Sequence, residues 1–239
     1  MKTKLTATLL IAAAVLTNAA FTVLGMVFNY PDVLSEPVDD ILAAFRANQT
    51  TVVVWFTVMA LSAALFAPIA IGVGRLSTHP AMRIAVPVGI AAAVVQVIGL
   101  ARWPLLVPGF AADAASGDPT VAAGARDSFL LAHRLLGTVV GETFGYLLTA
   151  AWTLLVLIAL GRGIPRWFTA LGAVSAVLIV AGVLTPLGLP LVDSANFIGY
   201  IMWSSWLVVF AILLLLRYPR SRTTAPQPML SGTGRRGAS

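Results

Sequence analysis

The stretch LLAHRLLGTVVGETFGYLLTAAWTLLVLIAL, Leu130–Leu160, is long and apolar enough to cross a bilayer as a helix, yet it carries His133, Arg134 and Glu142. A carboxylate inside a hydrophobic span is costly and needs a reason. At about 100° per residue, Arg134, Thr138, Gly141, Glu142, Gly145, Thr149 and Trp152 share one face roughly 100° wide. Gly137, Gly141 and Gly145 repeat at four-residue steps, the small-xxx-small spacing that lets a neighbouring helix come close. That face is therefore expected to look into protein, with Glu142 shielded from lipid.

The rest of the chain has the same character. It is 59% hydrophobic and 10% charged, with a mean hydropathy of +0.94. Soluble domains carry about 25% charged residues, so this chain has too little polar surface to face water, and the bilayer must be most of its solvent. Six apolar runs, roughly 5–29, 51–73, 84–106, 129–160, 167–189 and 196–216, are each long enough to span about 30 Å of hydrocarbon. The breaks between them hold YPDVLSEPVDD, GRLSTHPAMR, VPGFAADAASGDP, GRGIPR and PLGLPLVDS, all rich in turn formers. The first run could suggest a secretory signal, but its length of about 24 residues exceeds a signal core of about 7 to 15, so it reads as a span. Residues 1–217 thus form one all-α transmembrane domain, and the Pro- and Ser-rich 218–239 reads as a disordered tail.

Charge sets the expected threading. Of 15 basic residues, 11 fall at the N-terminus, in the second and fourth loops or in the tail, and none of the 9 acids does. Positive charge is retained in the cytoplasm, so both termini are expected inside a bacterial cytoplasmic membrane, with the acidic loops outside. Within those loops, Val38, Ile41, Leu42 and Phe45 suggest a short helix lying on the outer leaflet. Asp118 is placed to cap a helix that begins at Pro119, and Asp193 to cap the sixth helix. Trp103, Trp167 and Tyr218 suit interfacial belts, whereas Trp55, Trp152, Trp203 and Trp206 suit packing.

Several function classes drop out. The net charge of +6 is scattered through gaps between apolar runs, which excludes a nucleic-acid surface. With no cysteine there is no disulfide or thiolate chemistry. Lys2 and Lys4 are the only lysines, so no membrane lysine can carry a retinal Schiff base. His79 and His133 lie too far apart in the threading to share a haem. No P-loop, HExxH or GxSxG motif is present. The expectation is accordingly no metal, no cofactor and no catalytic set, with an enzyme acting on a lipid ranked last.

What remains is a polar centre in the outer half. Glu142 and Arg134 come from the fourth span, Arg102 and Gln96 from the third, and Asn196 and Tyr200 from the sixth. They either handle a small molecule, lipid or ion, or serve a non-catalytic accessory protein by specifying helix packing. Arg102, close to the end of its run, also suits snorkelling to the interface. Partners beyond the bilayer would then be a small-molecule or lipid ligand, a second copy of the chain, or another membrane protein.

The segments GETFGYLLTAAW, IPRWFTALGAVSAVL and ANFIGYIMWSSWLVVFAILLLLR, together with ARWPLLVP, resemble an uncharacterised family of bacterial multi-pass membrane proteins defined as a domain of unknown function. Gly141, Glu142, Gly145, Tyr146 and Trp152 match its fourth-helix pattern; Asn196, Gly199, Tyr200 and Trp203 match its sixth. The resemblance implies six helices and no assigned activity.

Overall fold

A computed structural model describes residues 3–187, 189 and 191–217, with the side chains at 186, 193 and 217 excepted. The tail 218–239 and the capping side chain expected of Asp193 lie outside the described residues. The described residues are helical without a strand. Six helices are long and apolar enough to cross a membrane: Thr3–Phe28, Gln49–Gly74, Pro80–Asp113, Pro119–Gly163, Arg166–Thr185 and Ser194–Leu216. Helices are the natural solution here, because in hydrocarbon each backbone N–H and C=O must be satisfied within its own segment.

The first span is α1 (Thr3–Phe28). After α2 (Val38–Ala47), the second span is α3 (Gln49–Ala64) followed by α4 (Phe66–Gly74). The third is α5 (Pro80–Leu105), continued by α6 (Val107–Asp113). The fourth is α7 (Pro119–Ala132), a π-helix over His133–Phe144, and α8 (Gly145–Leu160). The fifth is α9 (Arg166–Ala181) and the sixth α10 (Val192–Arg217). Each span packs on the next in chain order, and α1 against α10 closes the ring.

An even number of crossings brings the start of α1 and the end of α10 to one end of the bundle. At that end the core holds Phe66, Trp152, Phe168, Trp206 and Phe210, with Phe168 and Trp206 stacked at 5.1 Å. At the other end, Phe28, Phe45, Phe56, Trp103 and Phe129 form a second core, with Phe56 and Trp103 stacked at 4.7 Å. Trp103 is therefore at the centre of an aromatic cluster rather than in an interfacial belt, and is 0% exposed.

The second core is capped by the loops. α2 is a helix, but it does not lie on a leaflet: Ile41, Leu42 and Phe45 are buried in the protein. The apolar stripe that suggested lipid contact is consumed by the aromatic cluster beneath it. Arg46 Nη1 donates to the Ala111 carbonyl at 3.0 Å, tying α2 to α6. Arg126 pairs with Asp39 at 2.5 Å, tying α7 to α2. The Asp118 carboxylate accepts from the Thr120 and Val121 backbone N–H groups at 2.8 and 3.4 Å, the cap that starts α7. The third and fourth spans thus extend past their apolar runs, because their polar ends are packed against one another in the cap.

Candidate functional site

The site is built where α5 meets the π-helix. Gly99 and Gly141 touch backbone to backbone: a Cβ added to Gly99 would lie 2.6 Å from the Gly141 Cα. One step on either side, each glycine of the fourth span faces a polar side chain of α5. A Cβ on Gly145 would meet the Gln96 stem at 3.2 Å, and one on Gly137 would meet the Arg102 guanidinium at 2.8 Å. The glycines therefore bring two helices together and also leave room for two long polar side chains.

A twelve-residue π-helix is unusual, since most are single turns and they concentrate at functional sites. The Thr143 hydroxyl donates to the Thr138 carbonyl at 3.0 Å, five residues back, in keeping with the widened turn. This overturns one expectation. Arg134 and Glu142, expected together on the inward face, differ in burial. Arg134 is exposed, while Glu142 is half-buried. The 100° step holds only for the α-helical half of the span.

Arg102 is also placed otherwise than at an interface. It is 5% exposed, so it does not snorkel. Its Nη1 donates to the carbonyl of Gly99, and the guanidinium carbon lies 5.3 Å from the Trp103 ring centroid, a cation–π arrangement. Its Nε and Nη2 are buried with no hydrogen-bond partner among the described residues. Trp103 Nε1 and His133 Nδ1 are in the same condition, and the His133 ring stacks on Phe129 at 6.0 Å. Arg102 lies within electrostatic reach of Tyr30, Glu142 and Tyr146.

Tyr30 enters from the loop after α1, packed edge-on against Phe21 and Phe56 at 5.3 and 5.2 Å. Desolvation raises its hydroxyl pKa, first among the causes; Glu142 acts in the same sense and Arg102 against it, and the result is about 12. Its phenol stays neutral at physiological pH and can donate a hydrogen bond.

Next to this cluster, towards the chain-end core, lies a layer whose bonds are closed. Gln96 Nε2 donates to Thr149 Oγ1 at 2.8 Å, and the Tyr200 hydroxyl is hydrogen-bonded to the same threonine. Trp203 Nε1 donates to Thr153 Oγ1 at 2.9 Å. Tyr146 and Tyr200 meet edge-on at 5.8 Å. Asn196 Nδ2 donates to the Ile179 carbonyl at 2.8 Å, joining α10 to α9.

Of the six residues expected at the site, Arg102 and Glu142 come together. Gln96 and Tyr200 meet through Thr149, Asn196 bonds to α9, and Arg134 stands apart. Tyr30 was not foreseen, because nothing in a loop tyrosine before a proline announces that it folds back onto a buried arginine. A cleft of about 390 Å³ between Arg162, Arg166 and Thr169 opens at the opposite, chain-end side of the bundle, away from all of these groups.

A family described as domain of unknown function (DUF4386) matches residues 5–211. The chain belongs to this family. The matched region runs from the first span into the sixth and includes Tyr30, Arg102, Glu142 and Tyr200. This family member is thus a multi-pass membrane protein whose polar centre lies inside the family's common region. No curated protein and no solved structure matches the chain.

Proposed function

We propose that this protein handles a small molecule, lipid or ion at the Arg102–Glu142–Tyr30 centre under the cap, on the outer side of a bacterial inner membrane, with both termini in the cytoplasm. The orientation rests on the distribution of charge along the chain. One observation carries the functional reading. A guanidinium, permanently charged, sits 5% exposed with Nε and Nη2 unpartnered among the described residues. Buried donors of a charged group left without acceptors are expensive, so an acceptor on a bound molecule is the natural complement. Arg102 offers the fork that suits a carboxylate or phosphate. Glu142 and the neutral Tyr30 phenol would sort such groups by charge and hydrogen bonding.

The second reading is a non-catalytic accessory protein whose polar groups fasten helices. The closed bonds at Gln96–Thr149, Trp203–Thr153 and Asn196–Ile179 support it. The two readings separate at Glu142. In the site reading, Glu142→Leu leaves thermal stability in mild detergent within about 1 kcal/mol of the native protein, because functional groups are commonly retained without helping the fold. Mass spectrometry of molecules co-purifying with the native protein should then reveal a species lost from Glu142→Leu or Arg102→Gln. A stability loss of about 3 to 5 kcal/mol, as on breaking a buried pair, with no such species, establishes the fastener instead.

A further inference from the structure

We propose that two copies of this chain associate in the membrane through a polar groove between α1 and α10, with Asn18 at the centre of the contact. The groove encloses about 260 Å³ on the lipid-facing flank of the ring, and its lining includes Ala14, Asn18, Ser204, Ser205 and Val208. Asn18 and Ser204 fall near the middle of their helices, Thr3–Phe28 and Val192–Arg217. Asn18 is exposed there, although its sequence position among apolar residues gives no reason for an amide to face hydrocarbon. Its Nδ2 donates to the Ala14 carbonyl at 2.7 Å, which leaves the second N–H and the carbonyl oxygen unspent.

A second residue points the same way. Ser204 is 8% exposed and lines the groove, and its hydroxyl has no hydrogen-bond partner among the described residues. Ser205, beside it, is exposed and donates back to the Ile201 carbonyl at 3.0 Å.

Lipid cannot complete these groups. Acyl chains carry no donor or acceptor at that depth, and headgroups do not reach it. A protein helix can, because small residues let the backbones approach and polar side chains bond across. A second copy fits best for a reason of symmetry. A residue near a twofold axis meets itself, and the asparagine amide, with both donor and acceptor, is self-complementary. Ala14, Ser204 and Ser205 leave space for the facing α1 to lie along the groove.

The absence of cysteine makes the test clean. Val15, at the groove edge and 57% exposed, is changed to Cys, and native membranes are oxidised. Val94 on α5, 51% exposed and outside the groove, is changed to Cys as the control. The expected result is a disulfide-linked pair of 25.0 kDa chains from Val15→Cys and not from Val94→Cys. Adding Asn18→Leu should lower the yield about threefold, the scale of an average interhelical hydrogen bond, and Asn18→Gln should restore part of it.

Asn18 bonds only within its own helix among the described residues, so the unfolding midpoint of Asn18→Leu in detergent should match the parent. Should that variant fold poorly, Ser204→Ala is read in the same assay, with a smaller drop expected. Equal cross-linking of Val15→Cys and Val94→Cys overturns the proposal, as does a pair insensitive to both Asn18→Leu and Ser204→Ala. A cross-link to a different protein overturns it in favour of a heteromeric partner. None of these outcomes bears on the Arg102 centre, which lies under the cap.

Discussion

The fourth span contains two regions with opposite habits. In α8, the buried residues Thr149, Ala150, Trp152, Thr153, Val156 and Leu157 recur at three- and four-residue steps, the ordinary stripe of a packed helix. Its hydroxyls are spent: Thr153 donates to the Thr149 carbonyl at 2.8 Å and accepts from Trp203 at 2.9 Å. The Trp152 indole N–H is the exception, and its ring is packed directly over Gly89. In the π-helix just before α8, Gly137 is the one fully buried residue, Arg134 is exposed, and the helix abuts an arginine with two unpartnered donors. Where the ordinary period holds, polar groups are used to fasten helices. Where the turn is widened, polar capacity is left over. A helix held in a less favourable geometry beside unsatisfied donors is the contrast on which the proposed site rests.

Three substitutions probe that contrast. The largest effect is expected from Gly99→Ala, whose new methyl would drive into the Gly141 backbone of the π-helix at 2.6 Å. Backbone cannot swing aside, so a loss near about 3 kcal/mol is expected from thermal unfolding in mild detergent, the upper end of overpacking. A neutral result would mean the π-helix adjusts freely, and the contrast would weaken.

Thr153→Val comes next. It removes the acceptor of the Trp203 N–H in the closed layer, and a loss of about 0.6 kcal/mol is expected, the average for a hydrogen bond between membrane helices. Unfolding followed by tryptophan fluorescence would show it. No loss at all would make α8 less of a fastener than its closed bonds suggest.

Gly145→Ala should do least. The added methyl meets only the flexible Gln96 stem at 3.2 Å, and the gain in helix propensity offsets the crowding. Stability within about 0.5 kcal/mol of native is expected. A loss matching that of Gly99→Ala would erase the distinction between the two halves.

The same contrast explains what could be read in advance. The α8 half follows the step assumed for an ordinary helix, so Thr149 and Trp152 were placed inward from their spacing alone. The π half does not, and there Arg134 is exposed while Glu142 is half-buried. Arg102 ends an apolar run, a position that suits the interface as well as the polar centre. The extension of the chain into α6, together with the cap formed by α2 and α7, moved that position indoors. Tyr30 carried no signal, since a loop residue acquires its role only from what the loop folds onto.

By itself the sequence determined that the bilayer is the solvent, that six helices cross it and where each begins to be apolar. These follow from composition and run length, because hydrocarbon leaves a single chain few ways to satisfy its backbone. Only the tertiary structure decided that the fourth helix is widened through His133–Phe144, that the loop helix α2 turns its apolar side onto Trp103, and that an arginine is sealed under it. Those outcomes depend on contacts between residues far apart in the chain, such as Gly99 with Gly141 and Asp39 with Arg126, whose energies no local pattern contains.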